Sequence, residues 1–343
     1  MRILVPEWLG TRCSKDNGRI DMFGQDYSIY TSSQAWERGG KAVAVIGAFD
    51  GLHRGHRLLV DAACSEARSH AVPCVAITFD PDPASRPGGG EPMTGLRLMH
   101  CHERIRGLLA LGADAVIAYQ FDHQLARTAP AEFVKSVLWP LVNPLSIHVG
   151  SNFRFGRDGI GDVELLRRIG ECMGFAVHDH ELVQSGGEVV SATRIRHLLK
   201  QARLEEAQHL LCRCHYVSGH VEHGRGEGTS FGFPTANVRF DVQDCVPQAG
   251  VYAGAVVCEE RMWPAAINVG APSTFMTQDN TLLEANLLGF DGDLYNKHVD
   301  VLFHAWLRGE RTFESVEELE QTVRANIAWV GRNIGSRELE ALP

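Results

Sequence analysis

The chain has 343 residues, more than one small core needs and enough for two domains. Hydrophobic residues make up 44% and charged residues 22%, the balance of a folded globular protein rather than a disordered one. A net charge of −9 with no Lys/Arg block argues against nucleic acid as a partner, and no run of 18 apolar residues is present to span a membrane.

The N-terminus is apolar only briefly and lacks the h-region of a signal peptide. The nine cysteines are scattered, without metal-type CxxC spacing, and Cys212 and Cys214 read as two unrelated thiols. Reduced structural cysteines fit a cytoplasmic protein. Nothing in the sequence points to an oligomer or excludes one.

Residues 1 to about 27 show no clean period and read as an extension. From Lys41 the pattern is regular. AVAVIG (42–47) reads as a buried strand, and a helix follows from Gly55 to about His70. VPCVAITF (72–79), ADAVIAY (113–119), LSIHVG (145–150) and FAVHDHEL (175–182) are further strands. RLMHCHERIRGLLALG (97–112), PAEFVKSVLWPL and DVELLRRIGECMG are the helices between them. Strands alternating with helices, each strand a continuous apolar run, predict a parallel sheet covered on both faces.

The character changes after about residue 212. YVSGHVEH, TANVRF, VYAGAVVC, WPAAINVG, LLEANLLGF and HVDVLFHAWL read as short strands separated by Gly, Asp and Asn, which predicts an antiparallel barrel or sandwich. The DGD at 291–293 reads as a hairpin turn between two of them, in preference to a Ca2+ site. VEELEQTVRANIAWV closes the pattern as an amphipathic helix, with Leu319, Val323 and Ile327 on the face that docks on the barrel.

The most informative stretch is IGAFDGLHRGHRLLV (46–60). A buried strand runs through Gly47 into Phe49, Asp50 and Gly51, and His53-Arg54-Gly55-His56 opens a helix. A helix N-terminus presents unpaired N–H groups and a positive dipole end, which suit phosphate. Two imidazoles three residues apart can donate to the same phosphate oxygens and stabilise charge as the α-phosphate of a nucleotide is attacked. The bland alternative is that His53 and His56 only cap a helix; HxGH after a buried strand in a parallel-sheet domain favours phosphate. In VVSATRIRHLL (189–199), Thr193, Arg194 and Arg196 could reach a triphosphate, although an Arg-rich helix start is by itself solvated surface.

In the second half, HGRGEGTSFGFPTAN (223–237) is a Gly-rich loop whose N–H groups could face phosphate, with Gly224, Gly226, Gly228, Phe231, Pro234 and Thr235 as candidates. No GK[ST] follows, so it is not a P-loop, and taken alone it is a turn-rich loop. Thr235 and Asn237 are two apart in an extended segment and offer two neutral oxygens on one side, suited to Mg2+ shared with phosphates. Glu284 stands alone in an apolar strand, either exposed at an edge or held as a general base.

Together GAFDGLHRGH, TFDPDP, FDHQLARTAPAEFV, VGSNFRFGRDGIGD, SATRIR, GFPTAN, NVGAPSTF and EANLLGFDGDLYNK resemble, in order from about Tyr27 to Ile327, the bacterial bifunctional riboflavin kinase/FAD synthetase family. The resemblance implies a Rossmann-like adenylyltransferase domain at 28–205 after the 1–27 extension. It implies a riboflavin kinase β-barrel of six strands with a C-terminal helix at 206–335. It further implies ATP as co-substrate, Mg2+, and small-molecule substrates: riboflavin phosphorylated to FMN in the barrel, and FMN adenylated to FAD in the first domain.

Carried over residue by residue, His53 and His56 would hold ATP phosphates with Thr193 and Arg196 assisting. Asn152, Phe153 and Phe155 would lie near the flavin. Thr235 and Asn237 would bind metal and phosphates, and Glu284 would activate the ribityl hydroxyl. The chain departs from the family's pattern at Ala48, Asp82, Asn152 and Ala192, where the family usually has Asn, His, Asp and Ser, and at Glu227, Thr229 and Ser273.

Three other readings fit parts of the sequence: a riboflavin kinase with a degenerate first domain, another nucleotidyltransferase with the barrel as a binding module, and a non-catalytic flavin or nucleotide sensor. GFPTAN and FDGDLY argue against the second. Glu284 and HxGH argue against the third, because a sensor needs no base.

Overall fold

The structure, a computed structural model, describes residues 14–15, 19–20, 26–31, 40–82, 96–224, 233–259, 261–270, 282–335 and 337–338. The chain divides into two compact units between Ala192 and Thr193, residues 96–98 going with the second.

The first unit begins with three short strands, β1 (Ser14–Lys15), β2 (Arg19–Ile20) and β3 (Asp26–Thr31). There follow β4 (Ala42–Ile46), α1 (Arg54–Ser69), β5 (Cys74–Asp80), α2 (Cys101–Ala110) and β6 (Ala115–Gln120). A helical segment at 130–142, here α3, leads to β7 (Pro144–Gly150), α4 (Val163–Met173) and β8 (Ala176–His180). A small hairpin of β9 (Gln184–Ser185) and β10 (Glu188–Val189) closes this unit, and α5 (Ala192–Lys200) opens the second.

Five strands form a parallel sheet in the order β6-β5-β4-β7-β8. β3 adds antiparallel to β6, and β1 and β2 pair on β3, so part of the aperiodic N-terminal stretch extends the sheet edge. β4, β5 and β6 are apolar along nearly their whole length because both faces are covered, whereas the edge strand β8 is polar and largely exposed. α1 buries Leu59, Val60, Ala63, Cys64 and Ala67, at three- and four-residue spacings, against β4, β5 and β7. Val134, Val137, Leu138 and Leu141 from α3, with Val163 and Leu166 from α4, form the core with Ala44, Ile46, Ile77 and Ile117 of the sheet. Within α3 the turns of Phe133–Leu138 widen to π geometry ahead of Pro140, which has no N–H to return to the preceding turn.

The second unit holds α6 (Leu204–Leu211), β11 (His215–Glu222), β12 (Ala236–Arg239), β13 (Gly250–Cys258), β14 (Arg261–Gly270), β15 (Leu282–Leu287) and β16 (His298–Arg308). The order β13-β16-β11-β12-β15-β14 closes by the pairing of β14 with β13, giving a six-stranded antiparallel barrel. α7 (Val316–Asn333), capped by Ser315 accepting from the Glu318 N–H at 3.2 Å, packs on β13 and β14. Val330 and Ile334 enter the barrel core, and Leu319, Val323 and Ile327 are half-buried. A last strand, β17 (Arg337–Glu338), pairs with β14.

The hairpin expected at 291–293 is not formed. β15 pairs with β12 and β14, while β16 pairs with β11 and β13, so the segment between them crosses to a different part of the barrel. Asp293 serves that connection by accepting from the Tyr295 N–H at 2.8 Å. Asp-Gly marks a turn here, and barrel closure decides which strands the turn joins.

Candidate functional site

In a sheet ordered β6-β5-β4-β7-β8 the strand order reverses between β4 and β7, and ligands bind in the crevice beyond the carboxyl ends of those strands. The sequence that leaves β4 at this point is Gly47 to His56. The chain turns sharply there: Phe49 and Leu52 adopt left-handed backbone (φ 55° and 45°), and Gly51 has φ 79°. A left-handed residue other than Gly is costly and persists only where its surroundings hold it. Phe49 is fully buried, Asp50 accepts from the Met99 N–H at 3.0 Å, and the Ala48 carbonyl accepts from Thr78 Oγ1 at 3.0 Å and Arg104 Nη1 at 2.7 Å. Arg104 also donates to the Phe79 carbonyl at 2.9 Å, so one buried guanidinium ties together the ends of β4 and β5.

His53 is the N-cap of α1, its Nδ1 accepting from the His56 N–H at 3.3 Å. Its ring stacks on that of His56, centroids 3.6 Å apart and 15° from parallel. An Nδ1 that accepts leaves the neutral ring's proton on Nε2. Burial first, then the neighbouring His53 and Arg104, hold the His56 imidazole well below its ordinary value, so it is neutral at pH 7. The pair thus sets two stacked imidazoles at a helix N-terminus, an arrangement suited to an anion.

The other candidates of this unit follow β7. Asn152 is exposed, Phe153 is half-buried, and Phe155 is buried in the sheet core. The Phe153 and Phe155 rings stack with centroids 5.6 Å apart, so Phe155 backs Phe153. Thr193, Arg194 and Arg196 lie in the first turns of α5, at the start of the second unit; Arg196 is buried and the other two are half-buried.

In the barrel, strand register builds a row. Asn237 of β12 lies opposite Glu284 of β15, and Glu284 lies opposite Asn268 of β14. Asn268 donates from Nδ2 to Glu284 Oε2 at 3.2 Å, and all three residues are half-buried. Glu284 is therefore neither an exposed edge carboxylate nor fully enclosed. Asn286 donates to the Pro234 carbonyl at 2.7 Å and pins the start of the Thr235–Asn237 segment, where Thr235 is half-buried. Gly224 is exposed and passes so close to Asn237 that a Cβ there would lie 2.1 Å from Nδ2, hence a residue without a side chain. Gly226, Gly228 and Phe231 lie outside the described residues.

Sequence reasoning missed Asn268 and Arg104. Asn268 was legible as a polar residue in WPAAINVG and as the first residue of NVGAPSTF, without a role of its own. Arg104, four residues before Leu108 on the apolar face of α2, was a charge where a core residue belongs.

A parallel sheet with paired histidines at its switch point defines a nucleotide-binding module of the nucleotidyltransferase class, followed here by a six-stranded barrel with a carboxylate set in a strand. The FAD synthetase family model matches residues 36–194, and the riboflavin kinase model matches residues 211–333. A bifunctional riboflavin kinase/FMN adenylyltransferase of Pseudomonas fluorescens is 34% identical over 83% of this chain and 91% of its own length. The protein of the same description from Escherichia coli K12 is 33% identical over 86% and 93%. A crystal structure described as a macrolide-efflux protein from Streptococcus pneumoniae superposes with a TM-score of 0.77 at 28% identity, covering 86% of this chain and 95% of that one. The chain belongs to the bifunctional riboflavin kinase/FMN adenylyltransferase family. No helix of the described residues is long and apolar enough to cross a membrane.

Proposed function

We propose that this protein phosphorylates riboflavin with ATP to give FMN, and adenylates FMN with a second ATP to give FAD and pyrophosphate. The kinase is assigned to residues 206–335 and the adenylyltransferase to 28–205, with 1–27 as an extension. The separate family matches at 36–194 and 211–333 support that division.

The observation that carries the kinase reading is the row Asn237–Glu284–Asn268. The Asn268 amide occupies Glu284 Oε2 and leaves Oε1 to take the proton of the ribityl hydroxyl as it attacks the γ-phosphate of ATP. The donor set suits Mg2+: Thr235 and Asn237 offer neutral oxygens, and ATP phosphates complete the shell of a hard cation. Bound there, Mg2+ would neutralise charge on the β- and γ-phosphates. Gly224, Gly226, Gly228, Phe231 and Pro234 form the nucleotide loop of this reading.

In the adenylyltransferase, the FMN phosphate attacks the α-phosphate of ATP and pyrophosphate leaves. His53 and His56 donate to phosphate oxygens as charge builds on them, and need no proton transfer to do so. Gly47, Phe49, Asp50 and Gly51 shape the turn, and Thr193, Arg194 and Arg196 add positive charge and a hydroxyl for the triphosphate. Phe153 supplies an apolar face for the flavin, supported by Phe155, and Asn152 lies beside it. The described cysteines are free thiols, in keeping with a cytoplasmic protein.

The test is a reaction of riboflavin, ATP and Mg2+ followed by chromatography. FMN forms first and FAD follows. Absence of FMN with Mg2+ and with every other divalent cation tried would overturn the kinase assignment, and absence of FAD from supplied FMN would overturn the adenylyltransferase assignment.

A further inference from the structure

Away from the histidine pair, roughly 18 Å further along α1 at the usual rise per residue, four titratable side chains and a serine converge. Glu66 projects from α1. The alternation of side chains along a strand puts Ser146 and His148 of β7 on one face, and His178 and His180 of β8 on one face as well. The parallel register sets His148 beside His178. Ile147 and Val149, the intervening residues of β7, enter the core on the opposite face.

We propose that Glu66, His148 and His178 bind a single divalent transition-metal ion of the zinc type, with Ser146 and His180 fixing the ligands. Ligand atoms of the three residues all lie within 4.8 Å of one another. Both imidazole Nε2 atoms converge on the same carboxylate oxygen: His148 is 2.7 Å and His178 3.4 Å from Glu66 Oε2. One imidazole would satisfy that oxygen as a hydrogen-bond partner; two aimed at it leave a point equidistant from three donors. In a tetrahedral zinc site with bonds of about 2.0–2.1 Å, neighbouring ligand atoms lie roughly 3.3 Å apart, so both separations from Glu66 Oε2 are within an ångström of what a bound metal requires.

The surroundings orient these ligands as outer-shell groups do in metal sites. Ser146 Oγ donates to Glu66 Oε1 at 2.6 Å and reserves Oε2. His148 Nδ1 is 2.9 Å from His180 Nε2; with the proton of Nδ1 given to His180, the lone pair of His148 Nε2 faces the other ligands. Two imidazoles and one carboxylate select borderline cations such as Zn2+, Co2+, Ni2+ or Cu2+ over Mg2+. The half-exposed His178 side chain gives entry from solvent, and water takes the fourth position.

The test uses the full chain and Zn2+ alone, titrated against a chromogenic chelator, with Co2+ absorption as a second readout. The unmodified protein binds one Zn2+ at this site, gives the visible bands of four-coordinate Co2+, and melts at higher temperature with Zn2+ because the ion binds only the folded state. His178→Ala, at the exposed edge of the cluster, and the near-isosteric Glu66→Gln each weaken Zn2+ by about tenfold or more and reduce the melting shift accordingly, while FMN formation with MgATP is unchanged. Zn2+ held equally well by both variants would place the metal elsewhere on the chain and overturn the proposal, as would a protein that takes up no Zn2+ equivalent.

Discussion

In the parallel-sheet unit the candidate phosphate site is local: Gly47 to His56 supply the strand end, the left-handed turn and the paired imidazoles in one stretch of chain. In the barrel the candidate catalytic row is assembled from three strands that are distant in sequence, through the pairings Asn237↔Glu284 and Asn268↔Glu284. The first kind of site depends on a strained backbone held by its neighbours, here the buried Phe49 and the Arg104 and Thr78 donors to Ala48. The second depends on register, since a slip of one residue in β15 would turn Glu284 to the other face. Local sites announce themselves as motifs; register-built sites announce one residue at a time.

Four changes break or sharpen that contrast. The largest effect is expected for His53→Ala with His56→Ala. Loss of one preorganised donor costs about 100- to 1,000-fold, so removing both lowers FAD formation from supplied FMN by about 10,000-fold while FMN formation is spared. Parallel loss of both activities would show that the two sites are not separate.

Glu284→Gln does the reverse. It removes the proton acceptor and lowers FMN formation by about 100- to 10,000-fold, with FAD formation from supplied FMN unchanged; kinase activity like that of the parent would strip Glu284 of the base role.

The third change concerns stability of the barrel unit. His215 is fully buried with Nε2 2.7 Å from the Cys245 carbonyl, and burial, reinforced by Arg213, pushes it down to about 3. The unfolded chain takes up this proton near pH 6.5. The unfolded state therefore binds more protons between those two values, and stability is full above pH 6.5 and falls as pH drops toward 3. The loss is on the order of 2 kcal/mol by pH 5. Urea melts of the full chain at pH 7 and 5 measure it. In His215→Gln the difference between the two pH values narrows by about that amount; an unchanged difference would mean that other groups govern acid sensitivity.

The smallest effect is expected for Asn268→Ala. Hydrogen bonds to charged groups contribute about 1.5–3 kcal/mol, and the Asn268 amide holds a half-buried carboxylate. The kcat for FMN formation falls about tenfold with the KM for riboflavin unchanged, and Asn268→Gln recovers part of it. A rise in KM alone would make Asn268 a substrate contact rather than a positioning residue.

The class of each unit is legible along the chain. Fully apolar runs such as AVAVI are stable only in a sheet covered on both faces, and α1 repeats its apolar residues at helical spacing, so burial dictates both. The first candidate site was legible there too, because the strand end, the glycine and the two histidines lie within a few residues of one another. Tertiary structure alone decided the rest. The pairing of β1 and β2 on β3 at the sheet edge involves strands of two residues each, too short to carry a period. Closure of β14 on β13 sends the chain after β15 to β16 across the barrel, where Asp-Gly alone suggested a hairpin. Asn268 beside Glu284, and Glu66 beside His148 and His178, meet because hydrogen-bonded strands fix which residues lie abreast. Register and packing are properties of pairs of segments, and a pattern read along one segment does not contain them.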